Sequence, residues 1–218
     1  MNVQCISKGS LHAFKERETE SADVFLFGFN GVGEVSYEKE LKGESAFFED
    51  VALLSKKHQS IVVCGCITDT RGHKRKSAVI AENGKLLGVS DMLHVIDGAW
   101  GSGAHLGVYP TKKGKMGVLV AEDLYFPEAI SSLALCGSDF ILCPFGEISS
   151  ALESVYLRTY AHAYGIPICF CAEGYSMLAS RGEIVCASPI SPYTVSLEQR
   201  KEYHLIETRR RGDFGVRG

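Results

Sequence analysis

Glu122 and Asp123 directly follow the apolar run GKMGVLVA (114–121), and Glu147 follows a second such run, SDFILCPF (138–145). A carboxylate at the carboxyl end of a strand could act as a general base, because open α/β sheets bind ligands along that edge. Cys143, near the end of the second run, could serve as a nucleophile, and His94 and His162 are the histidines to weigh for a catalytic role. Each of these residues also has a plainer reading. Glu122 and Glu147 read as solvated charges, and a cysteine inside an apolar strand is ordinarily an inert thiol. Neither histidine has a Ser, Cys or Asp partner visible in the sequence, so spacing alone makes no hydrolytic triad. Glu128 falls where a first helical turn would favour a carboxylate through the helix dipole.

The chain contains eight cysteines, most of them within apolar runs such as IVVCGCI and PICFCAE. They read as buried, reduced thiols rather than as the disulfide framework of a small secreted protein. Cys64 with Cys66, and Cys169 with Cys171, are spaced by one residue. In a strand such residues share a face and pack together. No CxxC pair or histidine cluster at ligand spacing accompanies them, so the expectation is no metal and no cofactor.

Strands and helices must position these groups, and the punctuation of the chain predicts where. The runs 22–29, 60–67, 114–121, 138–145 and 166–172 are short, rich in β-branched and aromatic residues, and bounded by Gly, Pro or Asp, as central strands are. Helices are expected over LHAFKERETE (11–20), ESAFFEDVALLSKKH (44–58), PEAISSLALCG (127–137) and SSALESVYLRTYAHAYG (149–165). Pro127 suits a first helical position, and a Ser offers an N-cap for the last helix. Asn83-Gly84 predicts a tight hairpin within 76–90, and a second hairpin is expected over 177–188. Strand pairs embedded in a strand–helix alternation point to mixed sheets with helices outside, in one domain spanning 1–218.

Residues 114–146, GKMGVLVAEDLYFPEAISSLALCGSDFILCPFG, resemble the nucleophile region of the nitrilase, or carbon–nitrogen hydrolase, superfamily. That family has a strand of the form GxxxC, then xDxxFPE, an Ala- and Leu-rich helix, a Gly-Ala-Asp-like turn and a strand ending in Pro. ADVFLFGFN, SAVIAENGKLLG, His94 and RTYAHAYGIPICFCAEG are similar to further family segments, so the resemblance covers roughly residues 20–190. It implies an α/β fold of four layers, an αββα sandwich, paired through two-fold interfaces. It also implies a Glu-Lys-Cys triad, in which a thiolate attacks an amide or nitrile carbon, a carboxylate moves protons and an ammonium steadies the developing negative charge. By the same resemblance the glutamate position is Phe29, the lysine position Met92 and the cysteine position Ala121. No cysteine lies between Cys66 and Cys136, and no lysine between Lys85 and Lys112, so a small shift of the match restores neither group. A longer loop after Phe29 could bring Glu34 inward. Asp123 and Glu128 match family positions that are largely structural.

These substitutions imply a pseudoenzyme whose former catalytic site is apolar and either plugged or shaped into a small ligand pocket lined by Phe29, Met92, Ala121, Glu122, Tyr125 and Glu147. The expected occupants are a small amide or apolar ligand, or a protein partner, with a homodimer as the assembly. The alternative is an amidase-type hydrolase acting on non-peptide C–N bonds through Glu122, Glu147 or Cys143, and a third reading is a structural subunit. Composition narrows the rest. A net charge of -3 and only two short basic clusters, Lys74 to Lys76 and Arg209 to Arg211, disfavour nucleic acid. The sequence has no secretory leader pattern and no apolar run of membrane-spanning length, so a cytoplasmic protein with no membrane contact is expected.

Overall fold

Apolar runs that alternate side chains to two faces, and are apolar on both, must be covered on both sides. The computed structural model, which describes residues 1–15, 21–29, 32–96, 98–148 and 150–199, meets that demand by stacking two sheets and placing helices outside each. In chain order the elements are β1 (Asn2–Ile6), α1 (Leu11–Lys15), β2 (Val24–Phe27), β3 (Gly33–Ser36), α2 (Tyr37–Lys42), α3 (Phe47–His58), β4 (Ile61–Thr70), β5 (His73–Glu82), β6 (Lys85–Asp91), β7 (Gly107–Thr111) and β8 (Gly114–Val118). A single 3-10 turn (Ala121–Tyr125) follows. The chain then continues through α4 (Pro127–Leu135), β9 (Phe140–Pro144), α5 (Leu152–Ala163), β10 (Ile168–Ala172), β11 (Tyr175–Ser180), β12 (Glu183–Ser188) and β13 (Tyr193–Ser196).

The first sheet runs β13-β1-β2-β4-β5-β6, with β3 also paired to β4, and the second runs β12-β11-β10-β9-β8-β7. In each, a parallel centre, β1-β2-β4 or β8-β9-β10, is flanked by antiparallel strands. The two-residue period divides the core into three layers. Val24, Leu26, Ile61, Val63, Ala78 and Ile80 meet Met116, Val118, Phe140, Leu142, Cys169 and Cys171 between the sheets. Their neighbours Phe25, Phe27, Val62 and Cys64 face outward against α1 and α3, while Ile141, Cys143, Ile168 and Phe170 face α4 and α5. The protein is therefore the four-layer αββα sandwich that the resemblance implied.

Both expected hairpins form on left-handed turn pairs, Asn83 (φ 48°) with Gly84 (φ 88°) and Arg181 (φ 53°) with Gly182 (φ 87°). A third, through Arg71 and Gly72, joins β4 to β5. The boundaries differ from expectation where the chain turns. The strand expected over 114–121 ends at Val118, and the segment Ala121–Tyr125 coils into the 3-10 turn. The helix expected over 11–20 is seen at Leu11–Lys15, its remainder lying outside the described residues. At the start of α5 the N-cap residue is Ala151, while the Ser150 hydroxyl accepts from the Leu152 N–H at 3.1 Å. Gly65 and Gly28 allow β2 and β4 to meet closely, for a Cβ on Gly65 would stand 3.0 Å from the Gly28 carbonyl and Phe29 Cα.

The cysteines are free thiols, six of them buried, Cys136 exposed and Cys186 between the two. Cys64 and Cys66 share one face of β4 and pack in the outer layer, and Cys169 and Cys171 share one face of β10 in the central layer. Among the described residues no group of three potential ligands stands close enough to hold a metal ion, and no helix is long and apolar enough to cross a membrane. Arg209 to Arg211 lie outside the described residues.

Candidate functional site

The chain leaving β8 turns sharply at Ala121, a non-glycine residue held at φ 50°. A left-handed backbone on a residue with a Cβ stores strain of the order of 1 kcal/mol, and such residues concentrate at functional sites. The turn buries Ala121, Asp123 and Leu124 and leaves Glu122 and Tyr125 half-buried. Asp123 clamps it in place. Its carboxylate, fully buried, accepts from the backbone N–H groups of Leu93 (2.9 Å) and His94 (2.8 Å) and sits 2.8 Å from His94 Nδ1. Burial pushes the Asp123 carboxyl up, and those hydrogen bonds oppose the shift. The clamp ties the turn to the chain leaving β6, which carries Met92.

Met92 and Ala121, each 1% exposed, belong to the central layer between the sheets, and Phe29 packs against it. The Phe29 N–H donates to the Phe145 carbonyl at 3.3 Å, so the ends of β2 and β9 are joined across the two sheets. Met92 and Ala121 thus lie in the central layer with Phe29 packed against it, Met92 and Ala121 being tied through the Asp123 clamp, and Glu122 and Tyr125 share the turn of Ala121. Glu147 lies exposed on the loop after β9. Glu34 is not inward either. It sits on β3 and bonds Lys74 at 2.8 Å, because the short strand pairs with β4 and leaves its side chain at the surface.

Three partners at the site, Lys76, Trp100 and Glu153, were not singled out as site residues from the sequence. Lys76, on β5, forms an ion pair with Glu122 Oε1, and its ammonium lies 5.2 Å from the centre of the Trp100 ring. The pair is only about a quarter exposed, 21% and 25%. His94 finds its carboxylate in Asp123, stacks on Phe126 at 4.3 Å and places Nε2 3.6 Å from Glu128. Glu153, fully buried in the first turn of α5, accepts from the Tyr125 hydroxyl at 2.8 Å through Oε1. Burial first, and then the Glu153 bond and charge, push the Tyr125 phenol up, with a further contribution from Glu122. One sequence signal existed: Glu153 shares the stripe of α5 that buries Leu157, Tyr160 and Ala161, where helical periodicity calls for an apolar residue.

Cys143 faces α4 and α5 from β9, entirely buried, and burial together with the Asp123 and Glu122 charges pushes its thiol well up. A nucleophile needs the thiolate, and this environment disfavours it. His162 lies on the exposed side of α5, where with Arg158 and Arg181 it lines a surface groove of about 690 Å³ that none of Phe29, Met92, Ala121, Glu122 and Tyr125 lines. The basic cluster Lys74 to Lys76 is engaged with carboxylates, Glu34, Asp91 and Glu122 in turn.

The sequence pattern of the carbon-nitrogen hydrolases matches residues 22–199. No curated protein sequence matches this one. Among solved structures, the chain is similar to the NitN amidase from Nesterenkonia sp. AN1, with a TM-score of 0.72 at 15% identity over 91% of this chain and 93% of that one. It is similar to Saccharomyces cerevisiae Nit3, a member of branch 10 of the nitrilase superfamily, with a TM-score of 0.72 at 18% identity over 89% and 88%. A cysteine-to-alanine variant of the Nesterenkonia amidase in complex with butyramide aligns with a TM-score of 0.70 at 15% identity, over 89% and 88%.

Proposed function

This chain belongs to the carbon-nitrogen hydrolase family of the nitrilase superfamily, and from that premise we propose that it is a catalytically silent member which binds a small molecule or a partner at its former active site. The observation that carries the reading is the chemistry of three residues in or against the central layer. Phe29, Met92 and Ala121 offer a ring, a thioether and a methyl where the resemblance places a carboxylate, an ammonium and a thiol. Without a nucleophile, water would have to attack an unactivated amide directly, which forfeits many kcal/mol of barrier lowering. The strained turn at Ala121 supports the same reading, since a backbone of the kind that presents a functional side chain carries only a methyl here.

The second reading, an amidase-type hydrolase with relocated groups, draws on Glu122, which lies beside Ala121 and bonds the Lys76 ammonium. An ammonium and a carboxylate are both in the right neighbourhood. The thiol that would complete the set, Cys143, is buried on the other face of its sheet. A homodimer and a cytoplasmic location remain part of the proposal on the strength of the family alone.

The test is hydrolysis of butyramide, other short amides, carbamoyl compounds and nitriles by the purified protein, beside the triple variant Phe29→Glu, Met92→Lys, Ala121→Cys. The expected result is no turnover by the native chain and measurable turnover by the variant. Native turnover abolished by Glu122→Gln or Lys76→Met would overturn the silent reading in favour of relocation.

A further inference from the structure

Glu153 is a buried carboxylate with half of its hydrogen-bonding capacity unused. Oε1 accepts from Tyr125, and Oε2 has no partner among the described residues, although the side chain is fully buried. Leaving a charged acceptor buried and unmet is costly, and native structures keep such an arrangement where something else completes it. Glu122 repeats the pattern nearby. Lys76 holds its Oε1, while its Oε2 is enclosed and likewise unpartnered among the described residues. Lys76 offsets one carboxylate, and no described cation offsets the other.

The surroundings narrow what could complete the site. Tyr125 stands between the two glutamates in the fold: it shares the 3-10 turn with Glu122 and bonds Glu153 across to α5. Its ring meets Phe145 edge-on at 6.0 Å and Tyr156 edge-on at 5.4 Å. Phe145 is in turn bonded through its carbonyl to Phe29. Aromatic rings beside an uncompensated carboxylate form a favourable environment for an organic cation, whose charge the rings and the carboxylate both attract. A neutral amide would satisfy the free oxygen with an N–H but leave the charge unmet.

We infer that the free Oε2 atoms of Glu122 and Glu153, with the rings of Tyr125, Tyr156 and Phe145, form a receptor for the cationic end of a small organic amine. The inference rests on the silent, ligand-binding reading and specifies the ligand class for that same site. Glu153 supplies the charge, the rings supply the walls, and Lys76 keeps Glu122 from drawing a second cation.

The experiment is calorimetric titration of the native protein with n-butylammonium, guanidinium and butyramide, repeated on Glu153→Gln and on Tyr125→Phe. The native chain is expected to bind n-butylammonium at least about tenfold more tightly than butyramide, the difference that one charge-assisted contact supplies. Glu153→Gln should abolish that preference, bringing the affinity for n-butylammonium down to or below that for butyramide. Tyr125→Phe, which frees Oε1 of Glu153 without removing its charge, should retain it. Equal affinity for amine and amide, no binding of either cation by the native chain, or a preference that survives Glu153→Gln would each overturn the inference. Should Glu153→Gln fail to fold, the comparison of amine with amide on the native chain decides alone. Turnover of butyramide in the same samples would sink the silent reading instead, whichever ligand binds better.

Discussion

The residues that decide the chemistry here are also those whose environment the sequence hides. Asp123 looks like one more acid beside Glu122, yet it is the anchor of the site, holding two backbone N–H groups and the His94 ring. Asp123→Ala removes every one of those acceptors from a buried position, and a loss of about 3 kcal/mol in unfolding free energy is expected, read as a lower urea midpoint with unchanged slope. An unchanged midpoint would mean that the 92–94 segment is held by other contacts. The thiols give a second check at this scale. Hydrogen bonds from Cys169 and Cys171 lower the Cys5 thiol, which would mark it as reactive if it could be reached, but Cys5 is fully buried beside Cys169 at 3.5 Å. Accessibility should win over thiolate character. With a thiol-specific dye, Cys136 is expected to react fast in the native protein and Cys186 more slowly, and the other six only on unfolding. Rapid labelling of Cys5, seen by peptide mass, would show that the sheets part readily.

Elements were legible where a period or a turn residue declared them. The five central strands, the helices opening at Pro127 and ending near Gly165, and the Asn83-Gly84 hairpin follow from local rules. The edges were not legible. β7 contains Pro110, which argues against a central strand and is tolerated because β7 lies at the end of its sheet among the described residues. β3 is four residues long and pairs with β4 beyond the end of β2, so nothing in its own sequence announces a partner. The partners Lys76, Trp100 and Glu153 were equally hidden, since each reaches the site from a different element and only the stacking of the layers brings them together. The close packing of β2 on β4 provides the prediction for this scale. Gly65→Ala places a methyl 3.0 Å from the Gly28 carbonyl and Phe29 Cα, atoms that can move only with the strand. A destabilisation of about 1–3 kcal/mol is expected, with Phe29 displaced from the inner core. Thermal unfolding measures the first, and a change in ligand binding at the site measures the second. A fully stable Gly65→Ala protein would mean that the strands have slack there.

At the scale of the whole molecule, the two sheets are held chiefly by the central apolar layer, but polar ties close their rim. The turn between β7 and β8, in the second sheet, reaches the first sheet through two contacts and the segment after β13 through a third. The Lys113 ammonium lies 2.6 Å from the Asp23 carboxylate, the Lys112 N–H donates to Glu82 at 3.0 Å, and Gln199 donates to the Lys113 carbonyl at 2.6 Å. Asp23 also accepts from the Asn2 N–H at 2.8 Å, so one carboxylate links β1, the start of β2 and the opposite sheet. The Lys113 hydrogen bond, ahead of the partial burial that opposes it, holds the Asp23 carboxyl below its ordinary range. A depressed carboxyl binds its proton less readily in the folded chain than in the unfolded one, so its contribution is fully present above the unfolded value, near 4, and is lost as the pH falls through the lower folded value. The ion pair is roughly a third to two-fifths exposed, 31% and 43%, and solvent screening limits what it contributes to about 0.5 kcal/mol. Asp23→Asn should therefore lower stability slightly at pH 7 and narrow the gap to the native protein as the pH drops below 4, the two denaturation curves converging once the pH has fallen through the lower folded value. Parallel curves across that range would show that Asp23 serves through its Asn2 bond, which an asparagine can also accept, and that the sheets need no ionic tie at this rim.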